Sequence, residues 1–319
     1  MQAALGGANI GKPGVRPHCN RKRREPQVTQ AAGYRTIHLA LPAGTMPEES
    51  INGYRMYYEV QGDGSPLVMI HGGLGGGEGS ASMVQHHAGV FSGDYQFICY
   101  DRRAAGKSET PSGGYDLPNQ VQDLRALLDR LEVTHAHVLG SSAGGPIAMR
   151  FALDYPEMVD SLLLINTMSY NSQPERQARQ NELDNLLSNE AAHGRTSAVE
   201  QALEARQPTL RQDDPARFSK LSQINLERFD GIVMSIRAYL DIGESIESRL
   251  AEINMPTMIV HGDADATIPV ECGINLHQCI PHSEFHIFPG AQHGLMANEP
   301  RRMANMITEF LEELTVRQG

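Results

Sequence analysis

Ala136-His137-Val138-Leu139-Gly140-Ser141-Ser142-Ala143-Gly144-Gly145-Pro146-Ile147-Ala148-Met149 is the stretch that decides how this chain folds. An apolar run, Ala136 to Leu139, leads into Gly140-Ser141-Ser142-Ala143-Gly144, and a helix-favouring stretch, Gly145 to Leu153, follows. The reading is a strand, a sharp turn and a helix, with Ser142 at the apex. Gly-x-Ser-x-Gly in that context is a nucleophile elbow. The glycines have a steric reason, because bulky neighbours at so tight a turn would collide with strand and helix. The result is a hydroxyl standing at a helix N-terminus, where backbone N–H groups point at it.

Outward from the elbow, short apolar runs alternate with helical periods. Ile51-Asn52-Gly53-Tyr54 reads as a hairpin turn and Arg55 to Val60 as a strand. Leu67–Ile70, Phe97–Tyr100, Ser161–Ile165, Met258–Val260 and Glu284–Phe288 read as strands, most of them buried on both faces. Leu124, Leu127, Leu128 and Leu131 carry a helical period, Cys272 to Ile280 reads as a helix, and a last helix starts near Pro300. Such alternation implies a mostly parallel, doubly wound sheet covered on both faces. From Ser169 to Leu250 the composition turns polar and helix-favouring, without a strand. The expected organisation is therefore an extension over residues 1–48, an α/β core over 49–168 and 251–319, and an inserted helical lid over 169–250.

Composition bounds the function. The chain has 319 residues, 20% charged and 40% hydrophobic, with a formal net charge of -11, which argues against nucleic acid or an anionic membrane as partner. Residues 1–24 hold Lys12, Arg16, Arg21, Lys22, Arg23 and Arg24 and no acid. This stretch reads as a solvated, disordered tail. Met46 precedes the first hairpin as a natural start would, so residues 1–45 are expected to be dispensable, an upstream in-frame extension. No apolar stretch has the length of a membrane span and no secretory h-region is visible. Among Cys19, Cys99, Cys272 and Cys279 there is no C-x-x-C pair. Cys272 and Cys279 lie about 10 Å apart on a helix, too far for a disulfide. Thiols without partners point to a reducing compartment, and the expected location is cytoplasmic. The thirteen histidines show no metal-ligand spacing.

A serine needs a base, an orienter for the base and donors for the oxyanion. His293, in Gly290-Ala291-Gln292-His293-Gly294 after the last strand, is the base. The orienter lies in His261-Gly262-Asp263-Ala264-Asp265. Asp263 and Asp265 compete for this role. Asp263 is better placed to bond backbone N–H groups of a tight loop, and the choice of Asp265 rests on that loop chemistry and on the family resemblance given below. One oxyanion donor is the Ala143 N–H. The other comes from His71-Gly72-Gly73-Leu74-Gly75-Gly76-Gly77, with Gly73 first and Leu74 second. The Lys-Ser/Thr ending of a phosphate loop is absent there, and His71 is read as holding the loop rather than a metal.

His71-Gly72-Gly73, Asp101-x-Arg103-x-x-Gly106-x-Ser108, Gly140-x-Ser142-x-Gly144, Gly262-x-x-Asp265 and Gly290-x-x-His293 occur in the order and spacing of the α/β-hydrolase superfamily, and the chain resembles its lid-bearing members from Ser50 to Val316. These include carboxylesterases, lactonases, C–C bond hydrolases, cofactor-free haloperoxidases and prolyl aminopeptidase-like enzymes. The resemblance implies the α/β-hydrolase fold with an inserted helical lid, the triad Ser142, Asp265 and His293, and no cofactor. Two departures are visible. Ala104 stands where Gly is usual, which predicts a slightly different loop backbone. Ser141 stands where a bulky residue is common.

The expected substrate is a small carboxylic ester or lactone in a modest pocket lined by Met168 and Met296. Arg103 is read as structural, so a polyanionic substrate is not suggested. The alternatives are C–C bond hydrolysis, N-terminal Pro peptide cleavage with Glu227 and Asp230 holding the amine, and a non-catalytic ligand receptor. The protein is expected as a monomer or homodimer.

Overall fold

The computed structural model describes residues 48–169, 173–242 and 246–318. The extension therefore lies outside the described residues, except that β1 begins at Glu48. Eight strands form one sheet in the order β1-β2-β4-β3-β5-β6-β7-β8. They are β1 (Glu48–Ile51), β2 (Tyr54–Gln61), β3 (Ser65–Ile70), β4 (Tyr95–Tyr100), β5 (Ala136–Ser141), β6 (Val159–Ile165), β7 (Thr257–Gly262) and β8 (Ser283–Phe288). β1 and β2 pair antiparallel, as do β2 and β4, and the rest is parallel. The β1–β2 turn carries Asn52 at φ 47° and Gly53 at φ 81°, the left-handed pair that a two-residue hairpin requires.

Both faces are covered because alternate residues of the parallel strands are apolar in both directions. Val68, Ile70, Ile98, Val138, Leu162 and Leu164 face α3 (Leu117–Arg130) and α4 (Gly145–Asp154). Leu67, Met69, Phe97, Leu139, Leu163 and Val260 face α12 (Pro300–Gln318), through Met303, Ile307 and Leu311. Cys99 is a fully buried member of the second layer. α3 opens on Asp116, whose side chain accepts the Asn119 N–H at 3.0 Å, an N-cap worth about 1 kcal/mol. Between β3 and β4 lie α1 (Ala81–Met83), a π-turn at Val84–Ala88 and α2 (Gly89–Phe91), which sequence periodicity does not reveal.

Between β6 and β7 the described residues are helical: α5 (Gln173–His193), α6 (Arg195–Arg206), α7 (Leu210–Asp213), α8 (Pro215–Glu227) and α9 (Phe229–Leu240), then a 3-10 turn at Glu247–Glu252. α10 (Val270–Cys279) joins β7 to β8, and α11 (Leu295–Asn298) precedes α12. None of these helices is long and apolar enough to cross a membrane. The strand order reverses direction beside β3 and β5, and an open α/β sheet offers its ligand crevice at the carboxyl ends next to such a point.

Candidate active site

Ser142 leaves the end of β5 with φ 51°, a left-handed conformation that costs an ordinary residue roughly 1–2 kcal/mol. The surroundings enforce it. A Cβ on Gly144 would sit 2.4 Å from the Ile70 carbonyl oxygen, and one on Gly140 would sit 2.7 Å from the Gly144 oxygen. Thr167 Oγ1 donates to the Ser142 carbonyl at 2.7 Å and anchors the turn.

The loops after β7 and β8 bring two further predicted residues to this serine. His293 Nε2 lies 3.0 Å from Ser142 Oγ, and His293 Nδ1 lies 2.8 Å from Asp265 Oδ2. With Nδ1–H donating to the carboxylate, Nε2 is left to accept the serine proton. The Asp265 side chain is fully buried while that of His293 remains 27% exposed. Burial raises the Asp265 carboxyl. Hydrogen bonds from His293 and from the Ile268 and Thr267 N–H groups outweigh it, so the net shift is downward and the group stays charged.

The competition between the two aspartates resolves differently from the loop argument. Asp263 accepts one backbone N–H, from Gly290 at 2.6 Å. Asp265 accepts two, from Thr267 and Ile268 at 2.8 and 2.9 Å, and still reaches His293. Oδ1 takes the backbone donors and Oδ2 takes the imidazole, so backbone bonding and orientation of the histidine are combined in one side chain.

Sequence reasoning missed Asn166, at φ 44° and 1% exposed. Its Nδ2 donates to Asp265 Oδ2 at 2.8 Å, and its Oδ1 accepts the Leu295 N–H at 3.3 Å. One amide thus ties the acid to the segment after the histidine. The available signal was a polar residue directly after the apolar run Leu162-Leu163-Leu164-Ile165, at the same carboxyl edge as the other site residues. His261 lies behind Asp265, its side chain fully buried, with Nε2 bonded to the Ile268 carbonyl and burial lowering its pKa.

The loop after β3 closes over the serine from the other side. A Cβ on Gly72 would stand 2.8 Å from Ser142 Cβ, so only glycine admits this approach. His71 Nδ1–H donates to the Gly72 carbonyl at 2.6 Å and Nε2 accepts the Arg102 N–H at 3.0 Å. Burial pushes the imidazole down to about 3, so it is neutral and holds one tautomer. The Gly72 carbonyl is turned toward the imidazole, and in a trans peptide the Gly73 N–H then points the opposite way. Gly73 has φ 84° with open space where a side chain would lie, and Leu74 is 8% exposed. Ala143, 6% exposed, begins the turn into α4, where N–H groups lack intrahelical partners.

Arg103 is structural, as expected: it forms a buried pair with Asp123, with Nη2 2.7 Å from Oδ1 and Nε 2.7 Å from Oδ2. Arg102 has a different role. It is 7% exposed, its Nη1 donates to the His71 and Gly73 carbonyls at 3.1 Å each, and its Nε donates to Gln120. Burial lowers its pKa, and the nearby Asp123 carboxylate, which pairs with Arg103, also acts on its charge. A positive charge stands beneath the glycine loop.

Ala104, the departure in the loop after β4, takes up a left-handed backbone. Its φ of 56° lies in the region that favours glycine. Its methyl group fills the space over Gly231, where a Cβ would meet it at 2.3 Å. Glu227 and Asp230 are corrected. Both are exposed; Asp230 pairs with Arg195 at 2.7 Å, and Glu227 accepts from Gln223. Met168 and Met296 are buried, at 4% and 5%, and belong to the apolar layers on opposite faces of the sheet. A mostly apolar cleft lies elsewhere, among Leu186, Val199, Leu203, Asn225, Ile232 and Ile236 of the helical segment. The described residues contain no cluster of metal-binding side chains.

A model of the alpha/beta hydrolase fold matches residues 65–300, and the chain belongs to that family. A 2-hydroxy-6-oxononadienedioate/2-hydroxy-6-oxononatrienedioate hydrolase of Paraburkholderia phymatum is 27% identical over 277 residues, covering 81% of this chain and 91% of the relative. A 2-hydroxymuconate semialdehyde hydrolase of Pseudomonas putida is 28% identical over 277 residues, covering 82% and 92%. Among solved structures, a hydrolase from Pseudomonas aeruginosa superposes with a TM-score of 0.70 at 22% identity, covering 85% of this chain and 99% of the other. These relatives support a hydrolase.

Proposed function

We propose that this protein is a serine hydrolase acting at a carbonyl carbon, with Ser142 as nucleophile, His293 as base and Asp265 as orienter. The observation that carries the reading is the Ser142–His293–Asp265 chain of contacts at 3.0 and 2.8 Å. Ser142 Oγ attacks the carbonyl as its proton passes to His293 Nε2. Asp265 holds the imidazole in the required tautomer and stabilises the imidazolium. The Ala143 and Gly73 N–H groups receive the oxyanion, each worth about 3–4 kcal/mol, with Leu74 as the second choice for the loop donor. The imidazolium then protonates the leaving group, and water repeats the sequence on the acyl-enzyme. No cofactor enters these steps.

For the bond that is cut, the relatives shift the weight from an ester or lactone to a carbon–carbon bond. The compounds in their names carry a ketone or aldehyde and no ester, so hydrolysis there has to break carbon from carbon. The leaving carbanion needs the delocalisation that a dienoate supplies. A small ester or lactone is the second reading, because the same relay cleaves it with an alkoxide as leaving group. The exposed, paired positions of Glu227 and Asp230 weigh against the aminopeptidase reading. The helices between β6 and β7 act as the lid. Lids of this kind exclude water and set substrate size.

The test compares turnover of a 2-hydroxy-6-oxo-dienoate with that of short-chain p-nitrophenyl esters. A higher kcat/KM for the dienoate is expected, together with stoichiometric labelling of Ser142 by a fluorophosphonate. Ester turnover without dienoate turnover selects the second reading. Labelling with neither turnover points to a receptor, and absence of labelling overturns the serine-nucleophile reading.

A further inference from the structure

The glycine loop after β3 is completed by the helical segment. Gly75, Gly76 and Gly77 have φ 79°, 65° and 63°. Three consecutive left-handed residues have little intrinsic preference for one shape, so outside contacts must select it. The near half, His71 to Gly73, is fixed from the strand side by the His71 imidazole and Arg102. The far half is fixed from α8 and α9. Asn225 Oδ1 accepts the Gly77 N–H at 2.8 Å. A Cβ on Gly76 would stand 2.4 Å from that same oxygen and 2.9 Å from Ile232 Cδ1, and one on Gly75 would stand 3.0 Å from Ser235 Oγ. The Gly76 N–H meets the Ala104 carbonyl at 2.5 Å, and Arg228 on the far side bonds the Gly106 and Ser108 carbonyls. Asn225 is therefore the side chain of the helical segment that takes up a backbone donor of this loop.

We infer that Asn225 is a positioning residue for the oxyanion hole: by holding Gly77 it sets the loop that presents the Gly73 and Leu74 N–H groups to Ser142, so the helical segment takes part in stabilising the transition state as well as in admitting substrate. The inference rests on the serine-hydrolase reading. Asn225 also lines the cleft between α5, α6, α8 and α9, which places the same side chain between that cleft and the loop. The inference extends to this amide alone. The Glu78–Lys220 pair at 2.8 Å links the same two regions, but its lysine is 63% exposed and contributes little.

The experiment compares Asn225→Ala, Asn225→Asp and Lys220→Ala with wild type. Asn225→Ala is expected to lower kcat by about tenfold to a hundredfold with KM changed less than about twofold, the signature of a lost transition-state interaction. Asn225→Asp keeps the acceptor and is expected to retain most of kcat; Lys220→Ala is expected to match wild type. Should Asn225→Ala fold poorly by circular dichroism, Asn225→Ser, which is shorter by one group, takes its place in the comparison. Where wild type turns over no ester, the rate constant of Ser142 phosphonylation, which draws on the same donors, replaces kcat. Wild-type rates in Asn225→Ala, or equal losses in Asn225→Ala and Asn225→Asp, overturn the inference. Absence of both turnover and labelling in wild type overturns instead the reading on which it rests.

Discussion

The two loops that meet over Ser142 are held in opposite ways. The turn after β5 is rigid through its own sterics: Gly140 and Gly144 touch backbone on the side where a Cβ would lie, and Ser142 has nowhere else to go. The loop after β3 is rich in glycine with open space at Gly73 and Gly77. It is held by its own His71 and by two side chains from other parts of the chain, Arg102 and Asn225. Ser142 is thus fixed locally, and the loop that carries Gly73 is fixed in part by residues distant in the chain. Damage to the first loop should register as lost folding, and damage to the second as lost rate.

The largest expected effect lies on the relay that both loops serve. Ser142→Ala and His293→Ala should each lower kcat by roughly 10⁴- to 10⁶-fold, and the double variant should be no worse than either single one. Both should melt within a few degrees of wild type, since neither removes a core side chain. Additive losses would show that the two residues act separately. Asp265→Asn should cost far more activity than Asp263→Asn, because only Asp265 reaches the imidazole; the reverse order would exchange their roles.

Next comes the direct contrast between the loops. Gly144→Ala should destabilise the fold by about 3 kcal/mol or more, because its Cβ would overlap a strand carbonyl. Gly73→Ala meets no atom but must hold φ 84°, so about 1–2 kcal/mol is expected, with kcat falling more than the melting temperature suggests. Chemical denaturation with parallel kinetics separates the two. Equal stability losses would break the comparison.

The smallest effect is the pH response. Burial holds the His71 imidazole at about 3, below the value near 6.5 of the unfolded chain. Between those limits the unfolded state binds the extra proton. Stability should therefore fall as pH drops below about 6.5, by at most about 1.4 kcal/mol per unit for each such histidine. His87, His137 and His261 are lowered by burial in the same direction. A His71→Asn variant should show a shallower acid limb in urea denaturation between pH 7 and pH 5. An unchanged slope would mean that His71 is not the neutral buried group its hydrogen bonds describe.

Much of this molecule is legible in its residues alone. Apolar runs mark most strands, because a strand buried on both faces favours apolar side chains along its length. The elbow is legible because its geometry admits only glycine at Gly140 and Gly144. Ala104 defeats the same rule: its left-handed φ is offset by packing against Gly231, far along the chain, and no local pattern reveals that contact. The short helices at Ala81–Met83 and Gly89–Phe91 are invisible for a related reason, since they are shorter than one hydrophobic period.

The sequence by itself determined most of the strands and the longer core helices, the serine at the turn, and the loops from which a base and an acid would come. These follow from local sterics and hydrophobic period, which act over a few residues. Only the tertiary structure decided that Asp265 combines backbone bonding with the contact to His293, that Asn166 ties that aspartate to Leu295, that Arg102 stands beneath the glycine loop, and that Asn225 closes the loop from the helical segment. The long-range contacts among these join residues from 28 to 148 positions apart. Such separations leave no periodic trace, because the partners are chosen by the packing of the sheet and not by their neighbours in the chain.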